Sequence, residues 1–406
     1  MVLYFLQIDL AFCESQQFLR LTQLNQSTPL QLRASDLSEL TTQLNQAIAD
    51  NLIPGAYVQL GDRHGNEIHI PLGQRGPNNP APMNGKTLFR IFSMTKPIVS
   101  VLTMRLIERN QLSLDDPISL YLNQYKTMKI LDSNGRKRQA KIPMTVRHLL
   151  SHQSGLIYGV FDRNSKLGRL YLRNRIYSDD RSLFQLASKL GELPIKFEPG
   201  SAWQYSRSTD VLGAVLELAT QQSIETLLKE EIFKPLAMDD TYFFASITET
   251  PRVAEALDTN FFNPSERKKM LSTGGGLLST ATDYGRFAKM LLEGGQGRIQ
   301  SATLAMMTTD AIAEANVPSR FFYPQMRNFG LGFGLFESPV GQSGQRVKTY
   351  GWGGIAGTQF WIDESHGFYF ILMIQKSNQR PLRINLRDVV YRAIDNASVN
   401  QPSLSD

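Results

Sequence analysis

Strand patterning in this chain is concentrated near its two ends, and that distribution restricts the folds open to it. Ala56–Leu60 and Glu67–Leu72 read as strands around the Asp62–Asn66 turn, and Phe329–Glu337, Ile355–Asp363 and Phe368–Gln375 read as strands late in the chain. The last two flank an Asp363–Gly367 turn and predict a hairpin. Between Leu112 and about Phe262 the signals are helices and long loops. The simplest packing joins the two ends into one α+β unit and leaves the middle as a mostly helical lobe. The expected division is 35–111 with 272–396 for the first lobe and 112–271 for the second. Residues 1–34 are expected to form an N-terminal extension, and a tail at 397–406 is expected to be disordered.

Local signals place the helices. Leu37, Leu40, Leu44, Ala47, Ile48 and Leu52 recur at helical spacing, Asp36 with Glu39 resembles a capping box, and Pro54-Gly55 stops the run. Leu88–Phe92 is a short apolar run that leads into a helix from Ser93 to about Asn110, with Pro97 tolerated in its first turn. A last helix is expected over Leu382–Ile394. With 406 residues, 42% of them hydrophobic, the chain can bury a large core and form two or so lobes.

Charge excludes little and suggests less. The net charge of +6 is small for this length. Two basic runs, Arg136–Arg138 with Lys141 and Arg267–Lys269, lie in polar, turn-prone stretches without interleaved aromatics, so nucleic acid is not an expected partner. Cys13 is the lone cysteine, which rules out an intrachain disulfide and a cysteine metal site. Met1–Ser15 is apolar but lacks a basic start and a small-residue cleavage site, and no stretch is long enough to span a membrane. A cytoplasmic location is the default, and a periplasmic one would follow if the true start lay elsewhere.

Ser93 and Lys96 are the first candidates to carry chemistry. A serine hydroxyl attacks only when a base takes its proton, and residues three apart on a helix share a face. A serine in the first turn also lies near unpaired backbone N–H groups that favour negative charge. The spacing alone is common, and Ser265 with Lys268 repeats it. Context separates the two, because Ser93 opens an apolar helix whereas Ser265 sits in a charged loop. Read locally, Ser93 could equally be a plain helix cap beside an exposed lysine.

Phe92-Ser93-Met94-Thr95-Lys96 resembles the active-site serine segment of the penicillin-recognising serine hydrolases, especially class C β-lactamases and the carboxylesterases similar to them. Four more segments resemble family elements in the same order: Thr145–Leu156 ("LLTHTSGL"), Phe197–Gly200 through Tyr205-Ser206 ("F.PG..W.YS"), Gly274–Ala281 ("GGGL.ST") and Gly351–Gly357, a Trp-Gly-Gly strand. The resemblance covers about residues 35 to 395. It implies a β-lactamase/transpeptidase-like fold, an antiparallel sheet flanked by helices plus the helical lobe, with the site in the cleft between.

Carried over residue by residue, the resemblance makes Ser93 the nucleophile, Lys96 its proton partner and Tyr205 the catalytic tyrosine. Backbone N–H groups of Ser93 and Ile355 would form the oxyanion hole. Where β-lactamases and peptidases have Lys-Thr/Ser-Gly, this chain has Trp352-Gly353-Gly354, and Arg207 stands where asparagine is usual. The family lysine attracts a substrate carboxylate, whereas Trp352 offers an indole N–H and an apolar face. Trp352, Gly353, Gly354 and Arg207 are therefore the expected substrate-binding residues, with Arg207 as the candidate replacement cation.

The resulting expectation is a serine hydrolase that turns over small-molecule esters through an acyl-enzyme. The alternatives are a β-lactamase, a D-amino-acid peptidase or acyltransferase of the same fold, and a silent binding homologue. No cofactor is needed. His148 and His152 stand four apart but lack a third ligand, so they are expected to be a structural pair around a turn and no metal is expected.

Overall fold

The computed structural model describes residues 32–399, apart from 133, 179, 259–260, 316–322 and 341–344. The expectations for Cys13, for Met1–Ser15 and for the tail beyond 399 lie outside the described residues.

Strands from both ends of the chain make one antiparallel sheet. They are β1 (Gly55–Asp62), β2 (Glu67–Gly76) and β3 (Asn79–Pro82) from the start, with β8 (Met326–Phe329), β9 (Gly334–Val340), β10 (Gln345–Gly353), β11 (Gln359–Asp363) and β12 (Phe368–Met373) from the end. Their order is β3-β2-β1-β12-β11-β10-β9-β8, so β1 and β12 form the seam, with Tyr57 opposite Met373 and Asp62 opposite Phe368. Both strands of the seam are buried along their whole length, which explains their nearly continuous apolar sequences.

Three details differ from the sequence reading. Phe329–Glu337 is two strands, because Gly332 turns the chain with φ +96° between β8 and β9. Ile355–Thr358 is a turn rather than the start of a strand, and β11 begins at Gln359. The first helix, α1 (Ser38–Ala49), is entered through a 3₁₀ turn at Ala34–Leu37, where Asp36 accepts from Arg33 N–H at 2.7 Å.

Helix α2 (Thr95–Glu108) is the central post. Every residue from Thr95 to Leu106 is buried, so it is enclosed on all sides rather than amphipathic. Each fully buried Val, Leu, Ile or Met contributes about 1.5–3 kcal/mol of transfer free energy, and the residue at its N-terminus inherits that rigidity. A two-stranded ladder sets the entry: β4 (Phe89–Arg90) pairs with β7 (Leu278–Ser279), Arg90 opposite Leu278.

The middle of the chain supplies α3 (Val146–Leu150), α4 (Lys166–Arg173), α5 (Leu183–Glu192), α6 (Ser208–Thr220) and α7 (Ile224–Leu228), with a small ribbon of β5 (Lys129–Leu131) and β6 (Lys137–Gln139). The first basic run falls on exposed β6, where Arg138 pairs with Glu198. In the second, Arg267 pairs with Glu225 at 2.6 Å. Helices α8 (Ala281–Leu292) and α9 (Ser301–Met307) follow, and α10 (Arg380–Val399) ends the described chain, five residues beyond its expected end at Ile394. No helix among the described residues is long and apolar enough to cross a membrane.

Candidate active site

Ser93 lies in a 3₁₀ turn, Phe92–Met94, directly before α2. Phe92 has φ +43°, a left-handed conformation that costs a non-glycine residue about 1–3 kcal/mol. Packing maintains it, with the Phe92 ring 4.8 Å from that of Phe261 and 5.5 Å from that of Phe262. The turn leaves early N–H groups without helical carbonyls to bond. Ser93 thus stands at a fixed bend between a strand and a buried helix.

Lys96, the second residue of α2, is 2% exposed. Its Nζ lies 3.4 Å from Ser93 Oγ, 2.9 Å from Tyr158 Oη and 2.6 Å from Gly274 O. All three partners are uncharged. The β4–β7 ladder brings Gly274 there, since Ile91 N–H donates to Leu277 O at 3.1 Å and draws the glycine run alongside Ser93.

Tyr205 completes the cluster. Lys96 Nζ sits 4.7 Å from the centre of its ring, and Trp352 Nε1–H donates to its oxygen at 3.2 Å. His152 packs 4.7 Å from the same ring and Tyr158 5.4 Å from it. The chain reaches this point through paired loops: Gln204 N–H donates to His152 O at 2.9 Å, and Lys196 N–H to Gly155 O at 2.8 Å. Three residues distant in the sequence therefore meet around one amine.

Tyr158 was not anticipated. Burial, reinforced by Tyr205, pushes its hydroxyl well above the usual phenol range, so it remains neutral while bonded to Lys96. Its signal in the sequence was its place two residues beyond Leu156, inside a segment already singled out. Burial, with Lys96 nearby, likewise holds His152 well below the usual imidazole range, so it is neutral. His148 lies within α3, where its Nδ1 accepts from Thr145 N–H at 3.2 Å across the helix start, and His152 follows the helix with φ +58°. No cluster of three or more potential metal ligands occurs among the described residues.

Across from Ser93, β10 ends in Trp352-Gly353-Gly354. A side chain at Gly354 would meet Ile91 O at 2.6 Å and Thr358 Oγ1 at 2.3 Å, so only glycine lets this turn approach the Ser93 bend. Gly354 N–H is spent on Thr358 O at 2.8 Å. The next amide, that of Ile355, has no partner among the described residues, and Ile355 itself is 53% exposed at the mouth. Gly353 leaves room for Arg383, which clamps the turn by donating to Gly354 O at 3.0 Å and Thr358 O at 3.1 Å.

Two of the residues expected to bind substrate are engaged within the protein. The first is Arg207. It is 6% exposed and bonds Asp210 Oδ2 at 2.9 Å, with the Tyr177 ring 4.5 Å away. The second is Trp352, which is 4% exposed and donates its indole N–H to Tyr205.

The Beta-lactamase family model matches residues 40–392. The chain belongs to that family. Esterase EstB of Burkholderia gladioli is 30% identical over 396 residues, covering 88% of this chain and 96% of that protein. Among solved structures, unliganded simvastatin synthase (LovD) of Aspergillus terreus superposes with a TM-score of 0.74 at 24% identity, covering 89% of this chain and 98% of that one. EstCE1, a hydrolase with promiscuous acyltransferase activity, gives a TM-score of 0.71 at 23% identity, with 89% and 98% covered. This Beta-lactamase family member thus has the β-lactamase/transpeptidase-like fold that its motifs implied.

Proposed function

We propose that this family member is a carboxylester hydrolase whose acyl-enzyme forms on Ser93. The observation that carries the reading is the buried Lys96 amine, 3.4 Å from Ser93 Oγ and bonded otherwise to a phenol and a peptide carbonyl. A lysine held by a carboxylate is fixed in its charged form, whereas one held by neutral acceptors is able to give up a proton and serve as a base.

The steps follow from that arrangement. Ser93 Oγ bonds to the ester carbonyl carbon as its proton passes to Lys96 Nζ, and the carbonyl π pair moves onto oxygen. Backbone N–H groups of Ser93 and Ile355 receive the oxyanion; one such donor is worth about 2.7–4 kcal/mol. The intermediate collapses, the C–O bond breaks, and Tyr205 gives its proton to the leaving alkoxide and recovers one from Lys96. Water then repeats the cycle on acyl-Ser93 and releases the acid.

Esters are favoured over carboxylate-bearing β-lactams because the two positions expected to meet a carboxylate are buried and occupied: Arg207 by Asp210, Trp352 by Tyr205. The solvent-facing groups nearby are apolar, Ile355 at 53% exposure and Phe161, stacked edge-on to Tyr158, at 57%. EstB, named an esterase, agrees with this preference. Parallel assays with a short p-nitrophenyl ester and a chromogenic cephalosporin test it: turnover of the ester is expected, and turnover of the cephalosporin alone would reject the reading. The name of EstCE1 and the apolar mouth favour a second use of the same intermediate, acyl transfer to an alcohol in place of water.

A further inference from the structure

We infer that Asp210 is a positioning residue for proton transfer between Ser93 and Lys96, acting through the peptide carbonyl of Gly274. The inference rests on the proposed role of Lys96 as base and adds how that base is aimed. A neutral amine has two N–H bonds and one lone pair, and it takes a proton only where the lone pair points. Lys96 has three polar neighbours. Gly274 O can only accept, so one N–H is committed there, in the shortest of the three contacts at 2.6 Å. With the second N–H on Tyr158 Oη at 2.9 Å, the lone pair is left facing Ser93 Oγ. Where Gly274 O sits therefore decides whether the base faces the nucleophile.

Gly274 lies in no helix or strand, and Asp210 is what fixes it. Asp210 is completely buried in the first turn of α6, and its carboxylate is turned toward the 272–274 segment rather than its own helix. Oδ1 accepts from Gly274 N–H at 2.9 Å and from Ser272 Oγ at 2.7 Å, while Oδ2 accepts from Arg207 Nη1 at 2.9 Å. A Cβ at Gly274 would come within 2.9 Å of Oδ2, so the backbone is pressed against the carboxylate. Arg207 is anchored in turn by Ile176 O at 3.3 Å and by the Tyr158 and Tyr177 rings. Burial opposes ionisation of Asp210, but the Arg207 guanidinium holds its carboxyl below the usual range, so it is charged at neutral pH. The arginine that sequence reasoning assigned to substrate thus holds the carboxylate that holds the carbonyl that orients the base.

The groups facing Lys96 are Ser93, Tyr158, Tyr205, His152 and Asp210, with Arg207 beyond Tyr158. The test measures kcat, KM and the pH profile on a short p-nitrophenyl ester, together with the rate of Ser93 labelling by a fluorophosphonate. Asp210→Asn is expected to lower kcat and the labelling rate by about 10²-fold with KM little changed, since misplacing a reacting group by an ångström costs about that much. Its pH profile should shift on the acidic side, because the buried Asp210 carboxylate charge is gone from beside the reacting groups. Ser272→Ala deletes one hydrogen bond and should lower both rates by about threefold to tenfold. Asp210→Glu, which restores the charge but not the position, should not recover the rate. If Asp210→Asn does not fold, Ser272→Ala decides. Folded Ser272→Ala and Asp210→Asn proteins with wild-type kcat, labelling rate and pH profile would overturn the inference. Lys96→Ala is the separate control: if it still labels at the wild-type rate, the base assignment itself fails.

Discussion

Two segments of this chain carry the same serine-to-lysine spacing, and they have become different objects. Ser93 and Lys96 sit at the start of a helix buried on all sides, with Lys96 2% exposed and bonded to neutral groups from two distant loops. Ser265 and Lys268 lie in an exposed loop, where Ser265 Oγ shares a hydrogen bond with Thr250 Oγ1 at 2.9 Å and Lys268 pairs with Glu266 at 2.6 Å. The spacing is common to both. What differs is desolvation and the charge of the lysine's partners, and those two properties decide whether an amine can act as a base.

Substitutions break the comparison in graded fashion. Ser93→Ala should reduce ester turnover by at least about 10³-fold while leaving the melting temperature nearly unchanged. Lys96→Ala should approach the same loss, and its thermal stability should fall less than its activity. Tyr158→Phe should lower kcat by about 10-fold to 100-fold, since it removes one partner that orients the amine. Because the Tyr158 phenol is raised well above its usual range, it is neutral across ordinary assay conditions. An alkaline limb below pH 10 should therefore survive in Tyr158→Phe, and its disappearance would mean that Tyr158 is the titrating group. Gly354→Ala should lower activity further than stability, since its new Cβ would press on Ile91 O beside the nucleophile. At the far end of the scale, Ser265→Ala and Lys268→Ala should change turnover by less than about twofold and stability by no more than about 0.5 kcal/mol.

Much of this contrast is legible in the sequence. The hairpin of β1 and β2 was readable because β1 carries a short apolar run, β2 alternates and the turn between them is polar. The entry to α2 was readable because a short apolar run meets a long one. Strand β10 was harder. It carries Arg346, Lys348, Gly351 and Gly353 among its nine residues, so its apolar pattern is thin, and only the Trp-Gly-Gly resemblance pointed to it. Phe329–Glu337 looked continuous because its apolar residues run on, yet Gly332 folds it back. Arg207 and Asp210 stand three apart, a spacing that permits an ion pair, but nothing local says that the pair is buried. Tyr158 reaches Lys96 across 62 residues of chain, a contact that no periodicity encodes.

The most direct test is to trap the intermediate. Incubation with a slowly deacylated ester, acid quench and peptide mapping by mass spectrometry should place one acyl group on the peptide bearing Ser93, with none on that peptide in Ser93→Ala. Continued turnover by the folded Ser93→Ala protein, or an acyl group mapped to Ser265 instead, would contradict the account.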